Sequence, residues 1–298
     1  MATKAKETVK KVAKVLKPKA DPTSPTATKG QGKVVEAPKV EKVEEVKTPE
    51  VKVVAEKVVE VDGLPSLKDM LEAGVHFGHS VKRRNPRMDD YVYAIKNGVQ
   101  IFDLVQTRAA LAEACQYLTD TMATGAQILL VGTKAQAAET IKSEAERLGI
   151  AFITTHWVGG LFTNWEQIKT RVDKLVDMKK KYEAGEYKKY TKKEQVLLKR
   201  EIDRLERMYG GLVTLNGLPK VVFIVDPTRE VTAMHEATTR EIPVVAIVDT
   251  NGDPTKIAHV IPANDDALKA VVMLVLAVTH AIEKGLKLAK NKAAAATK

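Results

Sequence analysis

The chain has 298 residues, 48 Lys+Arg against 38 Asp+Glu, and 44% hydrophobic residues, enough for the core of one large domain or two ordinary ones. Its single cysteine, Cys115, excludes an intramolecular disulfide framework and fits a reducing compartment. The most apolar run, "ALKAVVMLVLAVTHAI" (267–282), contains Lys269 and His280 and falls short of the about 20 apolar residues a membrane span needs. Residues 1–17 carry a lysine or glutamate every few positions, unlike a signal peptide. A soluble cytoplasmic protein is expected.

The net charge of +10 is unevenly placed. Residues 1–62 carry +4, residues 166–208 carry +5 and residues 284–298 carry +5, so the remaining 178 residues carry −4. A mildly acidic body with basic appendages suits a polyanionic partner. Solubility of flexible tails and a solvated helical surface explain the same charge, and charge alone does not choose among them.

Residues 1–62 contain no aromatic, one leucine, and prolines at 18, 22, 25, 38 and 49. Such a composition cannot bury enough apolar surface to offset ordering entropy, so a disordered extension is expected. Within it, "KETVKKVAKVLK" (6–17) has the pattern of a short basic amphipathic helix, or of a solvated tail. Structure is expected from Leu64. Ser66 and Asp69 mark a capped helix start. "YVYAIKNGVQIF" (91–102) predicts two strands around the Asn97-Gly98 turn. Thr107 is expected to open a helix reaching about Thr124.

From residue 126 the pattern becomes strand–helix alternation. "AQILLVG" (126–132), "IAFIT" (150–154), "KVVFIV" (220–225), "PVVAIV" (243–248) and "AHVI" (258–261) are short apolar runs of the kind buried on both faces of a parallel sheet. Thr133 and Gln136 have capping-box spacing for the helix to Leu148, and further helices are expected near 229–240 and 266–284. Between the second and third of these strands, Thr163/Glu166 and Thr191/Glu194 are capping-box pairs for two charged helices joined across "YEAGEYKKY". Ile168, Val172 and Leu175, then Leu198, Ile202 and Leu205, give each a narrow apolar stripe. An antiparallel helical hairpin is therefore expected at 166–208. It would be inserted in an α/β domain of residues 63–165 and 209–283 and project clear of the core, with a basic tail at 284–298.

No catalytic set emerges. His76 and His79 lie three apart, a spacing that would share a helix face, but the other histidines and the lone cysteine do not complete a zinc site. "DTNGDP" (249–254) begins like a calcium loop, yet Pro254 stands where glycine is required and Val260 where glutamate is. "LLVGTK" (129–134) has one glycine of a phosphate loop, and Lys134 is followed by Ala135. A small-molecule or nucleotide-binding α/β enzyme using the strand carboxyl ends remains the alternative on fold analogy. Trp157 and Trp165 in "HWVGGLFTNW" could stack on bases or pack in the core. With only 14 aromatics, an aromatic platform for single strands is not expected. "KRRNPR" (82–87) is the densest cationic cluster outside the appendages, and arginines on a rigid turn suit phosphate contact.

Taken in order, "LEAGVHFGH", "RRNPRM", "NGVQIFDL", "LLVGTKAQA", "HWVGGLFTNW", "TKKE", "LPKVVFIVD" and "EIPVVAIVDTNGDP…VIPANDDA" resemble the bacterial small-subunit ribosomal protein two (S-two) family over about 64–283. The resemblance implies a flavodoxin-like three-layer α/β domain with a coiled-coil hairpin, no catalysis, and no cofactor or small-molecule substrate. It implies 16S rRNA and neighbouring small-subunit proteins as partners, including the mRNA-binding protein S-one, which the family helps to dock. In that setting "EAGVHFGH" is a structural, RNA-adjacent element. Candidate phosphate contacts are Lys82, Arg83, Arg84 and Arg87, with Lys179, Lys180, Lys181, Lys188, Lys189, Lys192 and Lys193 of the hairpin. The sequence departs from the family pattern at Arg84 (usually tryptophan), His156 (usually arginine) and Ala258 (usually aspartate). These positions bear on individual RNA contacts, His156 above all.

Overall fold

A computed structural model describes residues 63–296. The expected disordered extension, with its short basic segment, lies outside the described residues. α1 (Leu67–Ala73) starts as anticipated: Ser66 Oγ accepts from the Asp69 amide, and the Asp69 carboxylate accepts from the Ser66 amide. β1 (Phe77–Ser80), β2 (Val92–Lys96) and β3 (Val99–Phe102) form an antiparallel sheet in the order β1-β3-β2. Asn97 (φ 53°) and Gly98 (φ 77°) make the tight turn between β2 and β3. β1 was not expected. It puts His79 on a strand and His76 just before it, so the two histidines do not share a helix face.

α2 (Leu104–Ala123) begins before Thr107, because the Asp103 carboxylate accepts from the Val105 amide and caps the helix. Thr107 is instead buried in the first turns, its hydroxyl donating to the carbonyls of Asp103 and Pro262. β4 (Ile128–Val131), α3 (Ala135–Leu148), β5 (Ala151–Ile153), β6 (Val221–Val225), α6 (Val231–Thr239), β7 (Val244–Val248) and β8 (His259–Pro262) complete the alternation. The sheet is wholly parallel in the order β5-β4-β6-β7-β8. That is the flavodoxin-like 2-1-3-4-5 arrangement, with its switch point between β4 and β6.

Both faces of this sheet are covered. Ile128, Leu130, Val221, Phe223, Val225, Val245 and Ile247 join one core with α1, α2, α3 and α7 (Leu268–Ala296). The alternate residues Leu129, Val131, Val222, Ile224, Val244, Ala246 and Val248 join a second core with α6 and two long helices, α4 (Trp165–Glu183) and α5 (Lys192–Tyr209). This is the three-layer reading, with the period-two alternation of strands buried on both sides. Helices α2 and α7 approach each other closely: a Cβ on Gly285 would come within 2.6 Å of the Thr119 carbonyl and of Met122 Cβ. Cys115 lies in that seam, and burial pushes its thiol up to about 12, so it is inert.

α4 and α5 pack on each other, and their apolar stripes (Ile168, Val172, Leu175, Met178 and Ile202, Leu205, Tyr209) run on into the second core. The pair is thus rooted in the core rather than standing clear of it along its whole length. The Thr191/Glu194 box is present. The Thr163/Glu166 box is not: α4 begins after Asn164, and Thr163 turns to Glu236. Nor do Thr133 and Gln136 cap α3, which begins after Lys134 while the Thr133 hydroxyl donates to Glu230. The expected boundary at residue 284 is absent. α7 runs on to Ala296, because "KLAKNKAAAA" after Gly285 consists almost wholly of strong helix formers. Among the described residues no helix is long and apolar enough to cross a membrane.

Candidate nucleic-acid interface

The turn at 82–87 is held from beneath. Asn85 caps a short 3-10 turn (Pro86–Tyr91) by accepting from the Arg87 amide, and its own amide donates to the Thr250 carbonyl at 2.7 Å. Gly78 lets β1 approach the same loop, since a Cβ there would lie 2.5 Å from the Thr250 side chain. Arg87 is spent on anchoring: its guanidinium meets the Asp253 carboxylate at 2.7 Å and the Thr255 hydroxyl at 3.2 Å. Hydrogen bonds from Thr255, and then from Arg87, hold Asp253 below the usual carboxylate range. Arg84 lies 3.7 Å from Asp89. Lys82 and Arg83 are exposed and, among the described residues, have no acidic partner within ion-pair distance.

At the far end of the helical pair, residues 184–191 join α4 to α5 through a 3-10 turn (Glu186–Lys189). Lys179 pairs with Glu206 at 2.6 Å, spanning the two helices as Lys174 does to Glu201. Lys180, Lys181, Lys188, Lys189, Lys192 and Lys193 are exposed and form no ion pair among the described residues. The eleven candidate cations therefore divide. Lys82, Arg83 and six tip lysines form no ion pair among the described residues, whereas Arg84, Arg87 and Lys179 lie against carboxylates. The turn and the tip lie on separate elements, so they are two patches.

His79 belongs to neither patch. It sits at the carboxyl ends of the parallel strands, its Nδ1 2.8 Å from Asp249 and its Nε2 3.3 Å from Asp266. The hydrogen bond to Asp249 raises its pKa. Burial lowers that of His76, whose Nδ1 has no partner among the described residues. Beside His79, the Lys134 ammonium lies 2.7 Å from Asp265, 2.6 Å from Asp266 and 3.6 Å from Asp226. Burial, with Asp226 and Asp249 nearby, lifts Asp265 well above the usual carboxylate range despite that lysine. His79, Asp265 and Asp266 could offer a cation three ligand atoms within 4.8 Å of one another, but the lysine already supplies positive charge there. An anionic nucleotide would meet the carboxylates of Asp226, Asp249, Asp265 and Asp266 at the strand ends around Lys134, and the cluster does not fit one.

The "HWVGGLFTNW" loop is organised by a residue that no sequence motif singles out. Glu236 on α6 is 5% exposed and accepts from Trp157 Nε1 and the amides of Gly160, Phe162 and Thr163 at 2.8–3.3 Å, with the Thr163 hydroxyl at 3.4 Å. Burial opposes its charge, but these donors outweigh burial and lower its pKa. Trp157 is buried and stacks edge-on against Phe162, so it is a core residue, and Trp165 packs half-buried against the same core. His156 and Ala258 are exposed. The five-stranded parallel sheet agrees with the flavodoxin-like fold that the resemblance implies, and a family model described as ribosomal protein S2 matches residues 70–285. The chain belongs to the ribosomal protein S2 family, a family of structural ribosomal proteins.

Proposed function

We propose that this chain is a structural constituent of the small ribosomal subunit that grips 16S rRNA through phosphates and supports docking of the mRNA-binding protein S-one. In this reading it acts in the cytoplasm within the subunit, and the helical pair works as a coiled-coil arm. The observation that carries the reading is the set of eight exposed cations, Lys82, Arg83, Lys180, Lys181, Lys188, Lys189, Lys192 and Lys193, that form no ion pair among the described residues. Isolated ammonium and guanidinium groups on rigid turns suit a polyanion held by its backbone, which positions without reading sequence. A nucleotide-processing site is disfavoured by the carboxylates around Lys134.

The test is sucrose-gradient sedimentation of a lysate before and after a moderate salt wash. Stoichiometric presence in the small-subunit peak and in whole ribosomes is the expected result. Residence only at the top of the gradient in both conditions would instead indicate a free nucleic-acid-binding regulator or an enzyme.

A further inference from the structure

Three of the chain's seven tyrosines fall in the nine-residue stretch "YEAGEYKKY" and meet at the tip of the helical pair: Tyr182 near the end of α4, Tyr187 in the 3-10 turn and Tyr190 at its close, one residue before the Thr191 cap of α5. The rings of Tyr182 and Tyr187 are 6.3 Å apart, and those of Tyr187 and Tyr190 are 6.1 Å apart. Tyr187 is half-buried and packs on the second core, so it serves as the footing. Tyr182 and Tyr190 flank it with 46% and 44% of their surface exposed. A merely solvated tip has no use for two exposed rings, whose apolar faces lose free energy in water.

The tip is also rigid. Gly185 takes a left-handed conformation (φ 75°) that reverses the chain. The Thr191/Glu194 capping box fixes the start of α5. The Gln195 amide donates back to the carbonyls of Tyr190 at 2.9 Å and Lys188 at 3.4 Å. Lys189 Nζ lies 5.8 Å from the Tyr190 ring centre, and five more exposed lysines lie on the same turn and the helix ends beside it. Exposed rings at a fixed spacing, ringed by cations that form no ion pair among the described residues, match unpaired RNA bases and their phosphates.

We propose that the tip is a stacking platform for unpaired RNA bases, with Tyr182 and Tyr190 as its two faces and the tip lysines holding the adjoining phosphates. The proposal rests on the rRNA reading above and deepens it. Charge complementarity favours RNA over a protein surface, because the six lysines outnumber Glu183, Glu186 and Glu194 among them, form no ion pair with them, and so leave surplus positive charge for phosphates.

The experiment titrates the full-length protein with an unstructured RNA of about ten nucleotides and with an abasic ribose-phosphate chain of equal length and charge. The native protein should prefer the base-bearing chain by about tenfold or more. Tyr182→Leu with Tyr190→Leu should abolish that preference and leave abasic affinity unchanged. The corresponding pair of Phe substitutions should keep it. Equal affinity of the native protein for both chains, with binding lost when the tip lysines become alanine, would overturn stacking and leave phosphate contact standing. No binding to either chain or to 16S rRNA would overturn both readings. Loss of ribosome association in the Leu variant, with base preference intact, would assign the tip to a protein partner and overturn the proposal.

Discussion

The strand-end cluster around Lys134 and the tip of the helical pair are both rich in charge, and they use it in opposite ways. Lys134 is 12% exposed and lies within 3.6 Å of three carboxylates. The six tip lysines are exposed and, although Glu183, Glu186 and Glu194 lie among them in the chain, form no ion pair among the described residues. A buried, fully paired cation has its electrostatic work done inside the molecule, and removing it strands its partners. A solvated, unpaired cation contributes little to folding and is free to neutralise a phosphate. The turn at 82–87 lies between these extremes, with Arg87 committed to Asp253 and Lys82 and Arg83 uncommitted.

The largest effect separating the two regions should come from Lys134→Met. Asp226, Asp265 and Asp266 would then keep only His79, beside Asp266, and unfolding by denaturant should report a loss on the order of 3 kcal/mol, at the low end for a buried pair because Asp266 is more than half exposed. Stability within about 1 kcal/mol of the native protein would show that the cluster is not held by this lysine. Next comes Glu236→Gln, which replaces a carboxylate accepting from Trp157, Gly160, Phe162 and Thr163 by an amide that must turn donors toward donors. A loss of roughly 2–4 kcal/mol is expected, together with altered tryptophan fluorescence from Trp157. Because the Glu236 pKa is lowered, its stabilisation is present above the ordinary glutamate range and is lost as pH falls through the folded value.

Smaller effects sharpen the contrast. The raised pKa of His79 means that its charged form is favoured in the folded state by Asp249. Its contribution is therefore full below the ordinary histidine value of 6.5 and is lost as pH rises through the higher folded value. Chemical denaturation across that window should show stability declining with pH, and His79→Asn should flatten the decline. A parallel curve in the variant would assign the titration to another group. The smallest change in stability, under about 1 kcal/mol, is expected of Arg87→Ala, because both partners in that pair are more than half exposed.

Much of this architecture was legible. The buried strands, the helical pair and the Asn97-Gly98 turn follow from patterns that are local in sequence. Helix starts fared worse where a threonine had a distant competitor: Thr163 turns to Glu236, Thr133 to Glu230 and Thr107 to the Pro262 carbonyl, each from another part of the chain. The lysines at the tip could be nominated from composition, but which cations remain free depends on long-range partners such as Asp253 for Arg87 and Glu206 for Lys179. The tyrosine cluster was missed for a different reason: its three residues are local, in "YEAGEYKKY", but a count of aromatics over the whole chain argues against a stacking surface and passes over three rings gathered in one turn.

The central claim is that the free cations, and not the paired ones, grip RNA. The most direct measurement is the salt dependence of binding between the full-length protein and 16S rRNA. It compares the native chain with a variant in which Lys180, Lys181, Lys188, Lys189, Lys192 and Lys193 are alanine. The native protein should lose affinity steeply with salt. The variant should bind more weakly with a slope shallower by up to about 5, at roughly 0.7–0.9 for each phosphate that it no longer neutralises, while its unfolding curve stays in place. An unchanged slope and affinity in a folded variant would contradict the account.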